Sequence, residues 1–323
     1  MEEEKRVRRK RKKRKKKSIW KKILISLAVV LLLIVGAGTF VAWKVYSDVQ
    51  SSTDEMYTES NHEQKREKPV VVDQGKDPFS VLLTGIDTGA LGREYKGRSD
   101  SLMLMTVNPN TNETTIVSIP RDTYTEIVGH GTMDKINHAY AFGGIDMTLN
   151  TVQTLFDIPV DYYVSVNMEG LQQIIDAVGG IDITPPLTFD YEGGYHFEEG
   201  QPTHMNGETA LAYSRMRYDD PNGDYGRQER QREVVTTTIK KMASVESVMN
   251  YQSVLNSLSS NMQTNLTFDD MVDLFTKYNS AIGKMEQVQM SGTGRKQNGV
   301  YYEFIPDEEV QRISDLLKSE LEL

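Results

Sequence analysis

The sequence predicts an α/β domain, a mixed central β-sheet flanked by helices, preceded by one transmembrane helix. Three observations point to it. An uncharged stretch of 21 residues, 23–43, follows a strongly basic tail. Leucine-rich and β-branched runs of strand length open the region beyond residue 77. These runs then alternate irregularly with segments whose apolar residues recur at helical spacing, the pattern of a mixed sheet.

From Lys5 to Lys22 there are fourteen Lys or Arg side chains, preceded by Glu2, Glu3 and Glu4. The stretch 23–43 is about long enough for a helix to cross a bilayer core of ~30 Å. Trp20 and Trp43 stand near its ends, where indoles favour the membrane interface. The positive-inside rule keeps residues 1–22 in the cytoplasm and sends residues 44–323 outside. This is the layout of a single-pass cell-membrane protein with an extracellular C-terminal domain. A cleaved signal peptide is the competing reading, with Ala37-Gly38-Thr39 as a weak cleavage site. Its apolar region would run only roughly 7–15 residues, so the length favours an uncleaved signal anchor. Residues 44–76 are polar and charged with few large apolar side chains, a tether with some helix.

The folded part starts at Asp77-Pro78 and extends as a core domain to residue 242. Residues 79–86 (FSVLLTGI) form a buried strand, and 102–107 (LMLMTV) is apolar on both alternating faces, as suits a strand covered on both sides. Residues 115–119 (TIVSI) are a third strand, reached through the turn Asn108-Pro109-Asn110-Thr111-Asn112. Ile145, Leu149, Val152 and Phe156 follow helical spacing. A strand at 162–166 comes next, then a helix marked by Leu171, Ile174, Ile175 and Val178 and stopped by Gly179-Gly180. After a short strand at 181–183, Asn206 caps a helix, and a long helix runs from about Asp224 to about Met242. Residues 243–323 read as a mostly helical part packed on that domain, with one strand near 300–304.

Net charge is −9, but the first 22 residues carry +11 and the remainder −20. So acidic an ectodomain argues against nucleic acid, whose phosphates demand a basic face. The basic tail, set directly before a membrane span, suits anionic membrane lipid. The chain has no cysteine, which excludes disulfides, thiol nucleophiles and cysteine-ligated zinc.

Connectivity brings charges together. The loop 88–99 is short for a helical crossover, so the first two strands are antiparallel neighbours. Asp87 and Asp100 then lie at one sheet edge. The five-residue turn returns the third strand to that edge, where Pro120-Arg121-Asp122 follows. Asp87, Arg98, Asp100 and Arg121 should therefore cluster across 34 residues of sequence. Surface salt bridges at strand ends are the bland alternative. Two carboxylates brought together repel unless something neutralises them, and a hard divalent cation bound with ligand phosphates does so. Arginines beside it would hold further phosphate oxygens.

A second cluster runs from Tyr213 through Arg215, Arg217, Asp219, Asp220 and Asp224 to Arg227, Arg230 and Arg232. On the long helix, Arg227, Gln231, Val235, Ile239 and Met242 share a face. Arginine in a first helical turn opposes the macrodipole unless an anion binds there; a solvated turn paired with Asp219, Asp220 and Glu229 is the alternative. His138, His196 and His204 lack zinc-ligand spacing. Ser118 and Ser214 lack a G-x-S-x-G setting, and there is no GxxxxGK[ST] loop.

Five blocks in order carry a family resemblance: Leu82-Leu-Thr-Gly-Ile-Asp87, Gly97-Arg-Ser-Asp100-Ser, Ser118-Ile-Pro-Arg-Asp122, Asp134-Lys-Ile-Asn-His-Ala-Tyr140 with Gly143-Gly144, and Asn206 to Arg217 running on to Gln231. The chain resembles the LytR–CpsA–Psr family of cell-wall polymer ligases. The resemblance implies a phosphotransferase that moves a teichoic acid, capsule or similar anionic glycan from a polyprenyl pyrophosphate carrier to peptidoglycan. It implies Mg²⁺ or Mn²⁺ on Asp87 and Asp100. It implies a pyrophosphate clamp of Arg98, Arg121, Arg217, Arg227 and Gln231, with Arg215, Lys135 and Asp224 beside them. Asp87, Arg121, Arg217 and Arg227 are the expected catalytic residues. A pyrophosphatase using water, or a non-catalytic module binding lipid-linked glycan, would share this sequence pattern.

Overall fold

Hydrophobic alternation on both faces of three adjacent runs builds a sheet that must be covered twice, and the computed structural model has that arrangement. It describes residues 50–87, 97–242 and 261–323, with 39, 43–44, 46–48 and 259 besides. The chain divides into two units, Met1–Ser51 and Ser52–Leu323. In the first, the described residues are helical. The basic tail and apolar stretch lie outside the described residues except at Thr39 and Trp43. No helix among the described residues is long and apolar enough to cross a membrane.

The second unit begins with strands β1 (Phe79–Ile86), β2 (Ser99–Asn108) and β3 (Glu113–Ser118), then a hairpin of β4 (Tyr124–Ile127) and β5 (Thr132–Lys135). Helix α1 (His138–Phe156) leads to β6 (Tyr162–Asn167) and α2 (Met168–Ala177). Four short strands follow: β7 (Ile181–Ile183), β8 (Phe189–Tyr191), β9 (Tyr195–Phe197) and β10 (Thr203–Met205). Helices α3 (Gly207–Arg215) and α4 (Asp224–Met242) come next. The C-terminal part holds β11 (Met262–Thr264), α5 (Phe268–Lys277), α6 (Asn279–Ile282), β12 (Met285–Gln289), β13 (Thr293–Gln297), β14 (Val300–Phe304) and α7 (Asp307–Glu320).

The central sheet has six strands in the order β11-β6-β1-β2-β3-β12. Neighbours β1/β2, β2/β3 and β6/β11 are antiparallel, while β1/β6 and β3/β12 are parallel. One face carries Leu82, Leu104 and Val117 against Leu149, Val152 and Phe156 of α1 and Ile313 and Leu317 of α7. The other carries Phe79, Val81 and Val107 against Tyr278 and Ala281. A separate core of Ile175, Ile181, Phe189, Phe197, Tyr213 and Val234 joins α2, α3 and α4 to the short strands. Helix α1 bends at Gly144, whose φ of 69° lies in the left-handed region that favours glycine. Asn206 caps α3, its Oδ1 accepting from Thr209 N at 2.9 Å.

Three segments differ from expectation. The stretch read as a tether packs on the domain from residue 52. Thr58 N donates to Thr264 O (2.8 Å), Arg66 grips Asp161 through Nε (2.6 Å) and Nη2 (3.2 Å), and Met56, His62 and Val72 are buried. A few apolar anchors suffice because the backbone and charged groups between them find partners. After residue 242 the described residues, 261–323, hold four strands beside three helices, where one strand was expected. Strands β11 and β12 form both edges of the central sheet, so this part completes the domain. These strands are short and polar, and pairing rather than apolar alternation defines them. On α4, the most buried residues include Arg230, Arg232 and Val234, while Gln231 is half-buried, because neighbours cover the helix on more than one side.

Candidate functional site

Strand polarity builds the site. Ile86, the last residue of β1, pairs with Ser99, the first of β2, after a register shift at Gly85, and Asp87 N donates to Arg98 O at 3.0 Å. Asp87, Arg98 and Asp100 thus meet at one edge. Ile119 N donates to Leu102 O at 2.9 Å as β3 arrives at the same edge. Arg121 then reaches back, its Nη1 donating to Asp100 Oδ1 at 3.0 Å. The end of β5 adds Lys135, whose Nζ lies 2.8 Å from Asp122 Oδ1. With Asn137, Arg217 and Tyr301 these residues line a cavity of about 450 Å³.

Arg217 enters from the turn after α3 and Arg227 from the first turn of α4. Both face Asp224 Oδ1, at 3.3 Å from Arg217 Nε and 2.8 Å from Arg227 Nη2. Burial draws the Arg227 pKa below the usual arginine value; Asp224 opposes the shift and Arg121 and Arg217 add to it. Burial works in the same direction on Arg121, but Asp100, Asp224 and Asp122 together outweigh it and raise that guanidinium. Both remain cations at physiological pH.

Buried Arg121 Nε and Arg227 Nε and Nη2 make no hydrogen bond within the protein, nor does Asp224 Oδ1 despite its short approach to Nη2. Guanidinium donors held buried and geometrically unsatisfied suit a multi-oxygen anion such as a phosphate group. Among the described residues no group of three or more His, Asp or Glu converges as a complete metal site. Asp87 and Asp100 line the same cavity as two hard oxygen ligands. That fits a magnesium-type ion only as a partial set, completed by phosphate oxygens and water.

Asp87, Arg98, Asp100, Arg121, Lys135 and Arg217 come together as expected, with Arg227 electrostatically coupled behind them. Arg215 does not join them: as the last residue of α3 it is exposed, because the helix turns it away from the arginine two positions on. Gln231 lies one turn beyond Arg227 and does not line the cavity. Asp122, Asn137 and Tyr301 were not assigned from sequence. The first two lie inside the resemblance blocks, where a signal existed; Tyr301 stands in a strand without one. His138 pairs with Asp134 at 2.7 Å beside the cavity, and His196 and His204 form exposed pairs with Asp190 and Asp182.

An arginine-rich pocket at one edge of a mixed sheet defines an α/β protein whose site is chemically suited to a phosphorylated ligand. The chain belongs to the LytR_cpsA_psr family, whose model matches residues 43–319. It is 47% identical over 293 residues to the polyisoprenyl-teichoic acid–peptidoglycan teichoic acid transferase TagU of Enterococcus faecalis, covering 91% of this chain and 94% of that one. The crystal structure of Bacillus subtilis TagU superposes with a TM-score of 0.62 at 45% identity, over 77% of this chain and 98% of that one. A structure of TagT bound to LIIa-WTA matches with a TM-score of 0.69 at 33% identity, over 81% and 97%.

Proposed function

We propose that this chain is a membrane-anchored phosphotransferase that moves a teichoic-acid-type glycan from a polyprenyl pyrophosphate carrier to peptidoglycan. The observation that carries it is the pair of ion-paired arginines, Arg121 on Asp100 and Arg227 on Asp224, each with a buried Nε that makes no hydrogen bond, in a member of a family with named transferases. A hydroxyl oxygen of peptidoglycan attacks the sugar-side phosphorus. The bond from that phosphorus to the bridging oxygen breaks, polyprenyl phosphate leaves with the electron pair, and a phosphodiester forms. The hydroxyl proton passes to a carboxylate at the sheet edge, Asp87 being one candidate. Arg121, Arg217 and Arg227, with Arg98 and Lys135, stabilise the charge on the pyrophosphate oxygens, the main source of catalysis in phosphoryl transfer. When bound, Mg²⁺ or Mn²⁺ would be held by Asp87 and Asp100 and would neutralise pyrophosphate charge. Cleaving an existing pyrophosphate bond needs no nucleotide, which suits a domain outside the cell. The basic tail and the 21-residue stretch at 23–43 support that location.

The test is product analysis. Full-length protein in detergent, given lipid-linked glycan and peptidoglycan oligomers, should yield a glycan–peptidoglycan conjugate. Free glycan phosphate would identify a hydrolase, and no product a binding module.

A further inference from the structure

A transferase must bring a second substrate to the phosphorus held in the cationic cavity. We propose that an adjoining cavity of about 510 Å³, roofed by the β13/β14 hairpin, is the acceptor subsite. There an uncharged amino-sugar chain would lie with one hydroxyl directed toward the first cavity. The proposal rests on the transferase reading. The two cavities share Asp122, Arg217 and Tyr301, so a ligand in one abuts a ligand in the other.

Their charges differ. The first is lined by four cationic side chains, Arg98, Arg121, Lys135 and Arg217, against three carboxylates. In the second, Arg217 is the one cation of the lining beside Asp122, Asp220, Asp224 and Glu303, and Asp122, Asp220 and Asp224 are ion-paired with Lys135, Arg230 and the Arg217/Arg227 pair. Such a lining offers a polyanionic glycan no cluster of cations to hold it, whereas a hydroxyl-rich neutral sugar finds hydrogen-bond acceptors. Charge thus sorts donor from acceptor.

The wall is built rather than incidental. Strand β12 runs parallel to β3 and ends at the site edge, so the chain leaving it delivers the hairpin there. Glu303 N donates to Asp122 O at 2.9 Å and ties the hairpin to the turn after β3. The Glu303 carboxylate, 6% exposed, accepts from Tyr225 Oη at 2.8 Å and Tyr301 Oη at 2.9 Å. Gly292 N in turn donates to Tyr225 Oη at 2.7 Å. A Cβ at Gly294 would fall 2.0 Å from Tyr301 Oη, so only glycine lets that ring lie across the hairpin. These bonds hold both tyrosine rings in place. Tyr218, 94% exposed beside Arg217, adds a further aromatic face at the rim. Aromatic faces flanked by fixed carboxylates match the apolar C–H face and polar edge of a pyranose.

Steady-state transfer by the full-length protein, with donor and acceptor varied separately, tests the assignment. Tyr218→Ala and Tyr301→Ala should each raise KM for a peptidoglycan oligomer by roughly five- to tenfold, the loss of one good contact. Tyr218→Ala should leave the donor KM within about twofold, since Tyr218 does not line the first cavity. NMR titration with a neutral N-acetylglucosamine tetrasaccharide alone should show wild-type binding that weakens in both variants, and a soluble teichoic acid fragment should not compete. A shift of donor KM in Tyr218→Ala, or competition by the acidic fragment, would assign the cavity to the donor glycan and overturn the proposal. Unchanged acceptor KM and binding in both variants would overturn it too. If the wild type forms no conjugate yet binds the tetrasaccharide through Tyr218, the transferase reading fails while the sugar subsite stands.

Discussion

Arg121, Arg227 and Arg230 look alike in sequence, and the structure gives them opposite tasks. The first two keep buried donors unsatisfied, Arg121 at the cavity and Arg227 behind it. Arg121→Ala should remove a charged hydrogen bond to the pyrophosphate, and Arg227→Ala the buried cation that holds Asp224 beside Arg217, each worth roughly 1.5–3 kcal/mol. The expected outcome is a fall in kcat/KM of at least an order of magnitude with thermal unfolding unchanged; near-wild-type turnover in both would place the chemistry elsewhere. Arg230 spends its donors on the fold. Its guanidinium bonds Tyr213 O, Met216 O and Asp220, and it lies 5.2 Å over the Phe189 ring. It thereby holds the turn that carries Arg217. Arg230→Lys cannot serve all three acceptors, and breaking a buried pair costs about 3–5 kcal/mol. Denaturant unfolding should show that loss. The arginine pattern was legible in sequence; the division of labour was not, because it depends on whether carbonyls of a distant turn point at the guanidinium.

Among elements, α4 joins site and core. Its N-terminal turn presents Arg227, and one turn past Glu229 it presents Glu233 to Tyr213, whose Oη donates to Glu233 Oε2 at 2.7 Å. Burial pushes the Glu233 carboxyl above its ordinary 4.5, with the Tyr213 hydrogen bond opposing. A raised folded-state pKa means this group's stabilising contribution is complete below 4.5 and is lost as pH rises through the folded value. Glu233→Gln keeps an acceptor and removes the charge. Unfolding free energy measured from about pH 4 to 8 should therefore decline in the wild type relative to Glu233→Gln just above the ordinary glutamate range. Parallel profiles would remove Glu233 as a titrating contributor. Strands β1, β2 and β3 were readable because their side chains are apolar on both covered faces. Strand β12, Met285-Glu-Gln-Val-Gln289, was not, since pairing with β3 defines it and its side chains are mostly polar.

For the whole molecule, the C-terminal part closes the architecture. Strands β11 and β12 complete the sheet edges, and Ile313, Leu317 and Leu321 belong to the main core. A chain ending at Met242 should lose cooperative unfolding and accumulate as insoluble protein; a soluble, cooperatively unfolding fragment would contradict this. For the membrane arrangement, protease treatment of intact cells should digest the C-terminal domain, and its protection, or a mature N-terminus near Thr39, would overturn the signal-anchor proposal. By itself the sequence determined the α/β class, the antiparallel start of the sheet and the meeting of Asp87, Arg98, Asp100 and Arg121, since strand direction and short loops are local properties. Tertiary structure alone decided that residues 52–76 pack on the domain, that Arg215 faces solvent, and that Tyr301 joins the site. Each of these depends on contacts between segments far apart in the chain, where the free energy of pairing and burial is set by partners that no local pattern names.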